Sequence, residues 1–173
     1  MALDKIKHTN LSQRIRVLIL GTEKPNFLIR MSVLGGLLVW VYFFSWHLIT
    51  FLSLTLLDNL KQATNVRAAY GRIGRLYDYS DTINRLTLYS AIQILIYIVL
   101  FIALILIYRK KRTGIILYLI TTIAGILVTF FVMGYRFMQK EISLIDYILL
   151  LSSFIYFALG FLFFYRKKSP TIP

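Results

Sequence analysis

The chain has 173 residues, 58% of them hydrophobic and 16% charged, with a net charge of +13 and no cysteine. The missing thiols exclude disulfides, thiolate zinc sites, iron–sulfur clusters and thiol catalysis. The apolar share exceeds the roughly 45–50% of a soluble domain, and the charges are segregated rather than interspersed.

No Asp, Glu, Lys or Arg occurs in Met31–Leu57, Leu86–Tyr108, Thr113–Tyr135 or Tyr147–Tyr165, runs of 27, 23, 23 and 19 residues. A bilayer core of about 30 Å takes roughly 20 helical residues. The pattern predicts an all-α integral membrane protein: four transmembrane helices in an antiparallel bundle, preceded by a short amphipathic interfacial helix. In chain order, residues 1–26 read as a cytoplasmic amphipathic segment. Within it "TNLSQRIRVLILG" has Thr9 or Asn10 to cap a helix and Gly21 to end it. Leu11, Ile15, Leu18 and Ile19 share one face, flanked by Arg14 and Arg16, a layout for lying on the membrane surface or docking on a cytosolic partner. Pro25 then blocks helix continuation.

The transmembrane domain is expected over 27–168. Its spans are placed at 27–57, 86–108, 113–135 and 147–165, with an outer loop at 58–85 and a tail at 169–173. The first span is too long for a secretory h-region and reads as an uncleaved anchor. The ending "RKKSPTIP" matches no lipidation signal. "RKKRTG" forms a tight turn between the second and third spans, and Tyr108, Tyr135, Tyr147 and Tyr165 stand where an interfacial aromatic belt belongs.

Basic residues set the orientation. With the N-terminus inside, the inner side carries 13 Lys and Arg and the outer side 7. Counting acids, the inner face is +11 and the outer face +2. The positive-inside rule therefore predicts both termini in the cytoplasm, in a plasma (bacterial inner) membrane. Arg14, Arg16, Arg109, Lys110, Lys111, Arg112, Arg166, Lys167 and Lys168 are the expected contacts to an anionic inner leaflet. No basic groove or soluble domain points to nucleic acid. In the outer loop, Arg67, Tyr70, Arg72, Arg75, Tyr77, Asp78, Tyr79 and Asp81 suit contact with a partner protein or with lipid headgroups.

No carboxylate, Lys or Arg falls within the core of a predicted span, which argues against ion-coupled pumping. The polar exception is His47, in "FFSWHLITF". The only other histidine, His8, lies on the cytoplasmic segment. Within this chain His47 therefore lacks the second ligand of a haem and the remaining ligands of a zinc site, and no cofactor is expected. Counting about 1.5 Å per residue, His47, Tyr97, Gly125 and Tyr156 each lie about 14–16 Å below the outer end of their spans. They form a predicted polar layer in which a neutral His47 hydrogen-bonds Tyr97 or Tyr156, because an unpaired polar group in lipid is costly. Thr121, Gly125 and Thr129 recur every four residues and define a small-residue face for helix packing. Tyr89, Gln93 and Tyr97 also share a face, for interhelical hydrogen bonds or a pore lining.

These features favour a non-catalytic membrane protein, an accessory, assembly or scaffolding subunit of a larger complex with other membrane subunits as partners. A small homo-oligomeric channel or transporter is the alternative. A membrane enzyme acting on a lipid-linked substrate, through Arg72, Asp78 or Asp81, is the third reading.

Overall fold

The computed structural model describes Val17, Gly21 and residues 25–56 and 82–166, with side chains over 25–56 and 83–160. Within these residues the secondary structure is helical. Helix α1 is Phe27–Leu56, α2 is Thr82–Tyr108 and α3 is Arg112–Val128, prolonged by a π-helical turn over Thr129–Met133. Helix α4 is the short Tyr135–Lys140 and α5 is Leu144–Arg166. Three stretches, Phe27–Leu56, Ile83–Tyr108 and Arg112–Met133, are long and apolar enough to cross a membrane, and α5 contributes the apolar Leu144–Gly160.

Local chemistry fixes the helix ends. Pro25 precedes α1, where the Arg30 Nε donates to the Pro25 carbonyl at 2.9 Å. At the end of α2, Lys110 adopts a left-handed φ of 58°. The Lys110 amide reaches the Ile107 carbonyl and the Lys111 amide the Leu106 carbonyl, both at 2.9 Å. That pair of bonds is a Schellman cap, and it turns "RKKR" into a closed corner. Gly21 has a φ of 80°, and its amide bonds the Val17 carbonyl at 2.9 Å, a left-handed helix stop. Helix α5 opens on a capping box: the Ser143 amide donates to the Asp146 carboxylate at 2.9 Å and the Asp146 amide to the Ser143 hydroxyl at 3.2 Å.

Helix α1 packs on α2, α2 on α3, α3 on α5 and α5 back on α1. The pairings run in opposite sequence directions. Gly36 meets Leu104, Trp40 donates from Nε1 to the Tyr97 carbonyl at 2.7 Å, and Leu54 clusters with Leu86. Between α2 and α3, Gly114 meets Ile107 and Tyr89 meets Thr129. The buried positions of α1 (Ile29, Gly36, Phe43, His47, Thr50, Leu54) fall at spacings of seven, seven, four, three and four, a single seam along the helix. One apolar cluster joins Phe43, Tyr97, Leu100, Leu104, Tyr118 and Phe157. A second joins Leu54, Leu86, Tyr89 and Met133.

The chain between α3 and α5 departs from a simple hairpin. Gly134, at φ 83° and ψ 169°, ends the π turn. Helix α4 then packs Phe137 against Tyr89, ring centroids 5.9 Å apart. As a result α5 begins beside the middle of α1, where the Tyr42 hydroxyl donates to Asp146 at 2.9 Å. Tyr42 stands 14 residues, about 21 Å, before the end of α1.

Candidate functional site

Several of the polar side chains that α1, α2 and α3 bury come together around His47 and Gln93. His47 is only 4% exposed. Its ring lies edge-on to Tyr89 at 5.2 Å and stacks on Tyr97 at 5.6 Å, with 22° between the planes. Tyr89 and Tyr97 are two helical turns apart on α2, so His47 faces the turn between them, which carries Ser90 and Gln93. From the other side α3 offers Gly125 and Thr129. The Gln93 Nε2 donates to the Gly125 carbonyl at 2.9 Å and to the Thr129 hydroxyl at 3.1 Å. Thr129 in turn donates to the Gly125 carbonyl at 2.8 Å, so the Tyr89 hydroxyl, 3.1 Å away, is the donor of its pair with Thr129.

These bonds orient the Gln93 amide, because both of its hydrogens have acceptors on α3. Gly125 permits the approach: a Cβ there would sit 3.4 Å from the Gln93 Oε1. Among the described residues, three buried polar atoms of the layer have no hydrogen-bond partner: His47 Nδ1, Ser90 Oγ and Gln93 Oε1.

His47, Tyr97 and Gly125 thus occupy one region, and the contact between His47 and Tyr97 is a ring stack. Tyr156 does not join them. It is 48% exposed, and its hydroxyl pairs with Ser32 at 2.7 Å, 15 residues before His47 on α1. The depth count places Tyr156 level with His47 only if the fourth helix starts level with the end of the first, and the fold-back through Gly134 and α4 lowers that start.

On the small-residue face, Gly125 and Thr129 meet Gln93 and Tyr89, whereas the Thr121 hydroxyl bonds the Leu117 carbonyl of its own helix. Ser90, Thr50 and Trp40 were not singled out by sequence reasoning. The α1 seam, read forward from His47, leads to Thr50, and Ser90 stands three residues before Gln93 on the same side of α2.

Among the cations predicted to lie on the inner side, Arg109, Lys110 and Lys111 are exposed at the corner after α2 and Arg112 is half-buried. The backbone of Arg166 ends α5. Arg14, Arg16, Lys167, Lys168 and the outer-loop set Arg67, Tyr70, Arg72, Arg75, Tyr77, Asp78, Tyr79 and Asp81 lie outside the described residues. Among the described residues no three His, Cys, Asp or Glu side chains gather as a metal site would need.

The chain matches no protein-family model, no curated protein and no solved structure.

Proposed function

We propose that this chain is a non-catalytic integral membrane subunit that assembles with or scaffolds other membrane proteins. In this reading α1, α2, α3 and α5 form an antiparallel four-helix transmembrane bundle with an amphipathic helix on the inner surface. Both termini face the cytoplasm of a plasma (bacterial inner) membrane, and the basic residues touch its anionic leaflet. The observation that carries the reading is where the polar groups go. The Gln93 and Tyr89 side chains are used in bonds between α2 and α3, and apolar clusters lie on either side of them. The outward positions Leu38, Trp46, Ile49, Leu95, Ile120 and Phe131 are exposed and apolar, the surface that lipid or a neighbouring helix covers. Purification in a mild detergent followed by mass spectrometry tests it. Membrane proteins are expected at stoichiometric ratio with the chain, and a lone monodisperse monomer overturns the subunit role.

A channel or transporter is the second reading, and one observation favours it. Asp146 lies beside Tyr42, in the middle third of α1, next to an interrupted helix, and ionisable groups at mid-depth and broken helices mark transport sites. Flux through reconstituted vesicles that falls in Asp146→Asn would favour it; vesicles as tight as protein-free controls would eliminate it.

A further inference from the structure

We propose that His47, Ser90 and Gln93 together hold one water molecule, sealed in the interior where α1, α2 and α3 meet. Three observations converge. The unpaired atoms His47 Nδ1, Ser90 Oγ and Gln93 Oε1 belong to side chains that are 4%, 0% and 2% exposed. Ser90 and Gln93 are one turn apart on α2, and the His47 ring is held against that turn by Tyr89 and Tyr97. The Gln93 amide cannot rotate to satisfy its oxygen without giving up the bonds to Gly125 and Thr129.

The valences of the three atoms fit water. The Gln93 oxygen only accepts, the Ser90 hydroxyl can donate, and Nδ1 accepts in the tautomer that carries its proton on Nε2. One water donating to Oε1 and Nδ1 and accepting from Ser90 makes three bonds, the usual number for a buried water. A hard cation fits poorly, since it would find three neutral ligands where about six oxygens are wanted. Leaving the three atoms unpaired would forfeit the hydration each group has in the unfolded chain. On one side the site is closed by Phe43, Leu100 and Leu104, on the other by Leu54, Leu86 and Met133. The water is therefore occluded. It bridges α1 to α2 and is not part of a conducting path.

Radiolytic hydroxyl labelling of the full chain in nanodiscs, read by mass spectrometry, tests both parts of the proposal. Oxidation is expected at His47, Tyr89 or Tyr97 despite their burial. After mixing into ¹⁸O-water, the heavy label should appear there much more slowly than at the exposed Tyr135. Absence of oxidation at all three buried rings overturns the site, and ¹⁸O uptake at the Tyr135 rate overturns the seal. Gln93→Leu and Ser90→Ala should each reduce labelling of His47 several-fold. Ser90→Ala, which removes only one atom, serves if Gln93→Leu does not fold, and unchanged labelling in it counts against the three-atom site.

Discussion

At Gly114 the absence of a side chain sets how closely α2 and α3 approach. A Cβ there would fall 2.6 Å from the Ile107 backbone nitrogen and 2.9 Å from the Ala103 carbonyl oxygen. Backbone atoms cannot swing aside as a rotamer can, so the helices must part. Gly114→Ala is expected to cost about 1–3 kcal/mol, the range for overpacking, and to lower the thermal midpoint in detergent. Gly36 is the intermediate case, because the nearest atoms to its added Cβ are the Leu104 Cδ2 at 2.7 Å and the Phe157 ring, which can shift. Gly35 has nothing within 4 Å, and Gly35→Ala should leave the midpoint unchanged or raised through helix propensity. A midpoint order other than 114 below 36 below 35 would refute this account of the contacts. The sequence carries the Gly125 and Thr129 face through its four-residue spacing. It does not distinguish Gly35 from Gly36, because adjacent positions differ by about 100° around a helix and only the neighbouring helices decide which one is buried.

Helix α3 shows where charge patterning stops being informative. The charge-free run continues unbroken to Tyr135, yet the α-helical geometry ends at Val128 and the π turn at Met133. Thr129 and Met133 are both buried in that turn, one in the polar layer and one in the second apolar cluster. Nothing in hydropathy marks that change, since the residues on both sides are apolar. The one local signal is Gly134, the residue type that ends helices with a positive φ. Its φ of 83° and ψ of 169° fall in a region essentially confined to glycine. Gly134→Ala is therefore expected to destabilise the chain by about 1–3 kcal/mol. Gly160→Ala, inside α5 with open space around it, is the control and should be neutral or slightly stabilising. Equal midpoints for the two variants, measured by the same unfolding assay, would mean that the fold-back does not depend on Gly134. The fold-back also explains the misplaced tyrosine. His47 contacts Tyr97, and Gln93 one turn away bonds Gly125, on helices that pair end to end, whereas Tyr156 pairs with Ser32, on a helix that starts partway along α1.

For the whole molecule, sequence periodicity and charge were enough to place α1, α2 and α3 within a few residues, because long apolar runs leave a helix little alternative in lipid. The packing register between helices was not legible, since it depends on single side chains such as Trp40 bonding the Tyr97 carbonyl. Orientation is a separate property, for which the positive-inside rule uses the 13 to 7 division of basic residues, each Lys or Arg near an anionic leaflet being worth about 1 kcal/mol. The chain allows a clean test because it contains no cysteine, so one introduced thiol is the only reactive one. Lys111, exposed at the capped corner after α2, should as Lys111→Cys react with a membrane-impermeant maleimide only after the cells are permeabilised. Asp78→Cys, in the predicted outer loop, should react in intact spheroplasts. The reversed pattern would put "RKKR" outside and the five basic residues of the 58–85 loop inside. It would mean that the first loop, and not the N-terminal segment with the corner, governs insertion. Equal labelling of both sites in intact spheroplasts would mean two coexisting orientations, which the +11 and +2 faces should prevent.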